Sequence, residues 1–372
     1  MKIGIDARLP YYQMGGISRY VLQLTRALAA LDRRNRYIIF QSRKDKTARL
    51  PAVENFERQE LWTPCHHRLE RYMLSAELAL HGLDVMHSPD FIPPLRGATK
   101  HVITIHDLNF LHFPQFLTGE SIRYYAGQID WAVGHADRII ADSEHTRRDL
   151  IDQLSVPPEK VSTIHLAADP RFAEAATAAK HEHVRETLAR YSLHPGYVLF
   201  VGTLEPRKNI PTLLKAYALL RKQTSRKPQL VLVGNRGWLY DDVFDAIDRL
   251  GLRENVRHLD GVSDRDLVHL YLAAGVLALP SHYEGFGLPV LEAMHCQCPV
   301  VSSNRASLPE VVGEAGILLE PDDETAWAAT LLRVLTDQPL RRRMISAGLD
   351  WSGRFSWEST AAATMEIYEQ LA

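Results

Sequence analysis

Residues 2–41, KIGIDARLPYYQMGGISRYVLQLTRALAALDRRNRYIIFQ, decide the fold class. Lys2 to Asp6 and Tyr37 to Gln41 are short apolar runs, too short for helices, and read as strands. Between them Ile17, Tyr20, Val21, Leu24, Leu28 and Leu31 recur at helical intervals and give that segment one apolar face. A strand, an amphipathic helix and a second strand make a crossover unit, which sets its two strands parallel in one sheet.

Outward from this start the alternation continues. Further strands are expected at Val85 to Ser88, Val102 to Ile105, Arg138 to Ala141 and Val161 to His165. The pattern then lapses into an Ala-rich, charged stretch from Ala167 to Pro195, which reads as a bridge containing a helix. A second series follows, with strands at Tyr197 to Val201, Gln229 to Gly234, Val256 to Leu259, Val276 to Leu279, Pro299 to Ser302 and Gly316 to Leu319, separated by helical patterns. The chain has 372 residues, above the roughly 250–300 at which a single core usually stops growing. The expected fold class is therefore α/β, with two Rossmann-like doubly wound parallel sheets. Residues 1–175 form the first domain on this reading and 190–355 the second. Near the end, Arg341 to Leu349 and Ser356 to Leu371 read as helices on either side of Gly353, the latter (356–372) crossing back onto the first domain.

Composition excludes several classes. Hydrophobic residues make up 46% and charged residues 24%, with a net charge of −2, which suits a globular protein and argues against phosphate-driven nucleic-acid binding. No apolar run approaches the roughly 18 residues of a membrane span, and MKIGIDARL reads as a strand, not an export signal, so a cytoplasmic location is expected. Cys65, Cys296 and Cys298 make no disulfide framework and lack zinc-site spacing. Arg33, Arg34, Arg36, Arg43, Lys44, Lys46 and Arg49 face only one acid, Asp45, between residues 33 and 49; the stretch is either a solvated face or a peripheral contact with anionic lipid.

In open α/β sheets ligands meet the loops that follow strands, and four such loops carry suggestive residues. Gly15-Gly16, before the first helix, lets the backbone approach a phosphate or a sugar. His106-Asp107 follows the strand 102–105, where a neutral imidazole, its tautomer fixed by a neighbouring carboxylate, would bond a sugar hydroxyl. Gly202 to Asn209 ends in Arg207-Lys208-Asn209; two adjacent cations at a helix start oppose its dipole and need another reason to be there, such as a diphosphate. Ser281 to Glu292, SHYEGFGLPVLE, leads from the strand 276–279 into a helix. Its Glu284 and Glu292, eight apart, lie about 80° off a common helical face, so they are expected to touch different parts of one elongated ligand. The backbone of Gly285, Phe286, Gly287 and Leu288 would present N–H groups to an anion.

This last run resembles the Glu-x7-Glu motif of the family 4 retaining glycosyltransferases. Gly15-Gly16, His106-Asp107, residues 136–143, Gly202 with Arg207-Lys208-Asn209, and residues 281–299 all occur in that family's order. The resemblance implies the GT-B fold of two facing domains and a nucleotide-sugar donor. It places Arg207, Lys208 and the backbone of residues 286–288 on the diphosphate, Glu292 on the ribose, Glu284 on the transferred sugar and His106 near its hydroxymethyl group. Gly15-Gly16 would lie over the phosphates or the acceptor. Catalysis would proceed by front-face substitution with no protein nucleophile, no metal and no cofactor. The form Ser-x-Tyr-Glu-Gly-Phe-Gly-Leu-Pro is similar to that of GDP-mannose-using mannosyltransferases, with a glycan or lipid-linked glycan as acceptor. UDP-glucose or another nucleotide-sugar remains open, as does a GT-B epimerase; a glycoside hydrolase would not need Arg207-Lys208 beside a helix terminus, and a non-enzymatic sugar-binding module would bind without turnover. Gln297 departs from the family's usual Gly, and Asp264-Arg265-Asp266 reads as part of a helix cap begun by Ser263, not as a metal motif.

Overall fold

The computed structural model describes residues 1–12, 14–47, 51, 53–67, 69–116 and 119–372, with no account of the side chains of 120–123. Of the basic stretch, Arg49 lies outside the described residues. The chain divides into two units, Met1–Ala167 with Ser356–Ala372, and Ala168–Phe355.

The first unit holds seven parallel strands: β1 (Lys2–Asp6), β2 (Arg36–Ser42), β3 (Phe56–Leu61), β4 (Leu83–Ser88), β5 (Ala98–Ile105), β6 (Arg138–Ala141) and β7 (Val161–Thr163), in the order β3-β2-β1-β4-β5-β6-β7. The helix Gly16–Leu31 buries Tyr20, Val21, Leu24 and Leu28. Leu31, the last residue of the helix, is exposed instead of extending that face. The helix Trp357–Glu369 packs against Gly16–Leu31. It is tied in by Thr360, whose hydroxyl donates to the carbonyl of His165 (2.8 Å), and by Tyr368, whose hydroxyl lies 2.6 Å from His87 Nδ1.

β3 departs from the expected set of six strands. Its sequence, FERQEL, is largely polar, and it sits at the sheet edge, where among the described residues β2 is its only strand neighbour. Its register sets Glu57 beside Ile38 and Glu60 beside Gln41. Glu57 then pairs with Arg36 at 2.7 Å and Glu60 with Lys46 at 3.2 Å, while Arg43 stacks on Trp62, 3.4 Å from its ring centroid. The basic stretch is therefore partly neutralised by a neighbour that sequence order does not place beside it. Among the described residues no helix is long and apolar enough to cross a membrane.

The second unit has β8 (Val198–Val201), β9 (Leu230–Val233), β10 (Val256–Leu259), β11 (Val276–Leu279), β12 (Val300–Ser303) and β13 (Ile317–Leu319), parallel in the order β10-β9-β8-β11-β12-β13. Its central strands are buried on both faces, which is why they read as continuous apolar runs. The expected bridge is instead two helices, Arg171–Ala178 and His181–Arg190, and both belong to this unit. Phe172 is fully buried edge-on to Tyr271, Arg171 pairs with Asp264, and Arg190 with Asp266 at 2.8 Å. The division consequently falls at Ala167/Ala168 and not near residue 175.

Candidate active site

Strand order builds the site of the second unit. β8 and β11 are neighbours, paired Val198 to Val276 and Leu199 to Leu277, at the point where the winding reverses. The loops that follow them, 202–209 and 280–287, therefore emerge side by side. Behind them the backbone is packed so closely that a Cβ on Gly234 (φ +147°) would stand 2.0 Å from the carbonyl oxygen of Gly202, so only glycine fits there. Pro206–Lys208 forms one 3-10 turn. Asn209, left-handed at φ 53°, then starts the helix Ile210–Gln223, its amide donating to Pro321 O and Asp322 Oδ1, both at 3.0 Å.

The two cations of that turn meet the acid of the facing loop. Lys208 Nζ donates to both oxygens of Glu284 at 2.6 and 2.7 Å. Arg207 donates through one nitrogen to Glu284 (2.9 Å) and the carbonyl of Tyr283 (2.8 Å), and its Nε lies 2.7 Å from Glu205. Ser281 adds a further donor to Glu284 at 2.7 Å. Burial alone would raise the carboxyl of Glu284, but Lys208 and Arg207 outweigh it and hold the group at about 2. Arg207 and Lys208 thus do not stand as open cations at a helix start: with Glu205 and Glu284 they form a buried set of two positive and two negative charges.

The second loop is pinned by serines. Ser303 donates to the carbonyl of Ser281 (2.5 Å), and Ser307 to those of Glu284 (2.8 Å) and Phe286 (2.7 Å). Gly287, at φ 111°, turns the chain into the helix Leu288–His295 and, having no side chain, gives it no side-chain cap of its own. Glu292 lies in its second turn and accepts a hydrogen bond from the fully buried Tyr271 at 2.8 Å. Beyond the helix Gln297 is left-handed at φ 57°, a conformation that costs a non-glycine residue about 1 kcal/mol. Cys296 and Cys298 are buried and free.

In the first unit His106 follows β5, as Asp142 follows β6. His106 Nδ1 donates to Asp142 at 2.5 Å and Nε2 to the carbonyl of Pro89 at 2.8 Å. With a carboxylate and a carbonyl as acceptors, both nitrogens carry protons. Burial would lower the imidazole, yet Asp142 and the Pro89 carbonyl raise it to about 9. These surroundings favour the imidazolium over the neutral ring expected from the sequence; the carboxylate beside His106 is Asp142, and Asp107 accepts from the backbone N–H of Asn109 (3.0 Å). Gly15 and Gly16 open the first long helix, and Gly16 is exposed, with no neighbouring atom within 4 Å of the place a Cβ would occupy.

Ser263 accepts from the N–H of Asp266 at 3.1 Å, so the Asp264-Arg265-Asp266 run starts a helix, with Asp266 also held by Tyr191 at 2.9 Å. Sequence reading missed Asp142, Tyr271, Glu205 and Ser307. Asp142 carried one signal, an acid directly after a strand and before the helix cap Ser143; Tyr271 carried none, since it reads as part of an apolar stripe.

Residues 14–172 match the description "Glycosyltransferase Family 4" and residues 190–351 "Glycosyl transferases group 1". Along its full length the chain is 34% identical to O-antigen chain mannosyltransferase B of Escherichia coli, covering all of both. Two solved structures share the fold over nearly whole chains at 18% identity and a TM-score of 0.76. They are WaaG, a glycosyltransferase involved in lipopolysaccharide biosynthesis (99% of each chain), and Anabaena HepE in complex with UDP and glucose (100% of each). The chain belongs to the family 4 glycosyltransferases and has the GT-B fold. It is a glycosyltransferase of polysaccharide assembly.

Proposed function

We propose that the protein transfers mannose from GDP-mannose to a glycan or lipid-linked glycan acceptor, with retention of configuration. The observation that carries the donor site is the charge cluster of Arg207, Lys208 and Glu284 beside the glycine-led start of the helix Leu288–His295. Cations and backbone N–H groups there suit a diphosphate, whose charge grows as the bond to the sugar breaks. Glu292, oriented by Tyr271, suits the ribose hydroxyls, and Glu284 those of the sugar. Support for mannose comes from the full-length likeness to the Escherichia coli mannosyltransferase. On this reading, substitution of His106 in the first unit should lower kcat. A peripheral membrane contact through residues 33–49 has the support of Arg43 and of Trp62, which is 68% exposed.

The test is thermal denaturation with GDP-, UDP- and dTDP-sugars, followed by mass-spectrometric detection of product. GDP-mannose at 100 times its Kd should stabilise the protein by about 2.7 kcal/mol, and Arg207→Ala should remove the shift. A shift with UDP-glucose alone would replace the donor, and no shift with any nucleotide-sugar would refute the site.

A further inference from the structure

The connections after β5 and β6 meet twice: once through His106 and Asp142, and again farther along. His145, Asp149 and Gln153 are spaced four apart on the helix Glu144–Leu154 and share one face. The short helix Asn109–His112 brings His112 against that face. His112 Nε2 lies 2.7 Å from Asp149 Oδ2 and 2.7 Å from Gln153 Nε2, and His145 Nε2 lies 3.4 Å from the same carboxylate oxygen. One ligand atom from each of His112, His145 and Asp149 can be chosen so that all fall within 4.8 Å of one another.

Two imidazoles and a carboxylate are a donor set for a divalent transition ion such as Zn²⁺ or Co²⁺. Bonds of about 2.1 Å in a tetrahedral site space the ligands by roughly 3.4 Å, the separation His145 and Asp149 already have. Both imidazoles are about a quarter exposed (27% and 26%), so they have room to turn, with His112 moving from 2.7 Å out to that spacing from Asp149. Protons alone leave a conflict in the arrangement as it stands. An amide N–H of Gln153 donating to His112 Nε2 needs a lone pair there, and that lone pair then sits 2.7 Å from a carboxylate oxygen, acceptor against acceptor. A cation bound by Nε2 and Oδ2 removes the conflict once the Gln153 N–H, which cannot share that single lone pair, is given to Asp149 Oδ1, 3.3 Å away; so does a turned Gln153 amide, and the experiment separates the two.

We propose that His112, His145 and Asp149 bind one zinc-type divalent ion, with the Gln153 amide orienting Asp149 through its other oxygen. The ion is structural: it clamps the segment six residues beyond His106 to the helix that starts just after Asp142, and so stiffens the mounting of that pair. The full chain, stripped with EDTA and dialysed, is titrated with CoCl2 and followed by visible d–d absorption and calorimetry. Saturation at about one Co²⁺ per chain, displacement by ZnCl2 and a raised Tm are expected. His112→Ala and His145→Ala should each abolish the absorption, and Gln153→Ala should weaken binding roughly tenfold. Circular dichroism checks the fold of each variant; because His145 is on the surface of its helix, His145→Ala decides the matter if His112→Ala unfolds. No saturable Co²⁺ absorption in the unsubstituted chain, or an absorption that survives His145→Ala, overturns the site and leaves the turned amide as the explanation.

Discussion

Glu284→Gln probes the charge cluster most directly. The side chain keeps its shape and can still accept from Ser281 and Lys208, but the cluster passes from two positive and two negative charges to a net charge of +1. Because the carboxyl sits at about 2 and not near 4.5, its surroundings favour the ionised form by about 3 kcal/mol. That stabilisation is complete above about pH 4.5 and is lost as the pH falls towards 2. Near neutral pH Glu284→Gln should therefore cost about 3 kcal/mol, at the lower end of the roughly 3–5 kcal/mol found when one partner of a buried ion pair is removed. At roughly 2–4 °C per kcal/mol, the Tm of the second unit should fall by about 6–12 °C. Differential scanning calorimetry at pH 7.5 reads this, and Lys208→Met with the double variant completes a cycle. A Tm within about 1 °C of the parent, or additivity within about 0.5 kcal/mol, would refute the argument that these charges hold one another.

Tyr271→Phe removes a hydrogen bond to a buried carboxylate, and should cost about 1.5–3 kcal/mol in urea unfolding while weakening nucleotide binding measured by calorimetry. Gln297→Gly relieves a left-handed non-glycine residue and should raise stability by up to about 1 kcal/mol with kcat unchanged, read from melting curves and initial rates. The His106 imidazole, raised to about 9, stabilises the first unit by about 3 kcal/mol below pH 6.5, and this is lost progressively as the pH rises through 9. Asp142→Asn should flatten that slope in unfolding measured between pH 6.5 and 9.5.

The fold was legible wherever burial shaped the sequence. β8, β9, β11 and β12 are enclosed on both faces, so each reads as an apolar run with a sharp end, and the loops after β8 and β11 could be located from those ends. β3 was not legible because an edge strand with one neighbour has little apolar surface to bury. Its absence left the basic stretch 33–49 looking more cationic than Glu57 and Glu60 allow. Partnerships across the chain were hidden for another reason. His106 and Asp142 are 36 residues apart, Lys208 and Glu284 are 76, and spacing along the chain carries no sign of which strand ends become neighbours. Residue types could nominate Arg207, Lys208 and Glu284 singly; only strand order shows that they neutralise one another.

That neutralisation sets a condition on donor binding. A diphosphate brought to Arg207 and Lys208 competes with Glu284 for the same N–H donors. A diphosphate that simply withdrew Lys208 and Arg207 would leave Glu284 buried without the cations that keep it ionised, and burial would then raise its carboxyl. The carboxylate must instead exchange its cationic donors for others, and the hydroxyls of the transferred sugar are donors of the right kind. On the proposed reading, the sugar is what allows the cations to turn to the phosphates, so recognition of the two ends of the donor is coupled. GDP without its sugar should accordingly bind more tightly to Glu284→Gln than to the parent protein, while GDP-mannose should show the reverse order. Isothermal titration of the two ligands into the two proteins gives four affinities. If Glu284→Gln weakens GDP and GDP-mannose by the same factor, Glu284 is a structural strut for the loop and not the residue that reads the sugar.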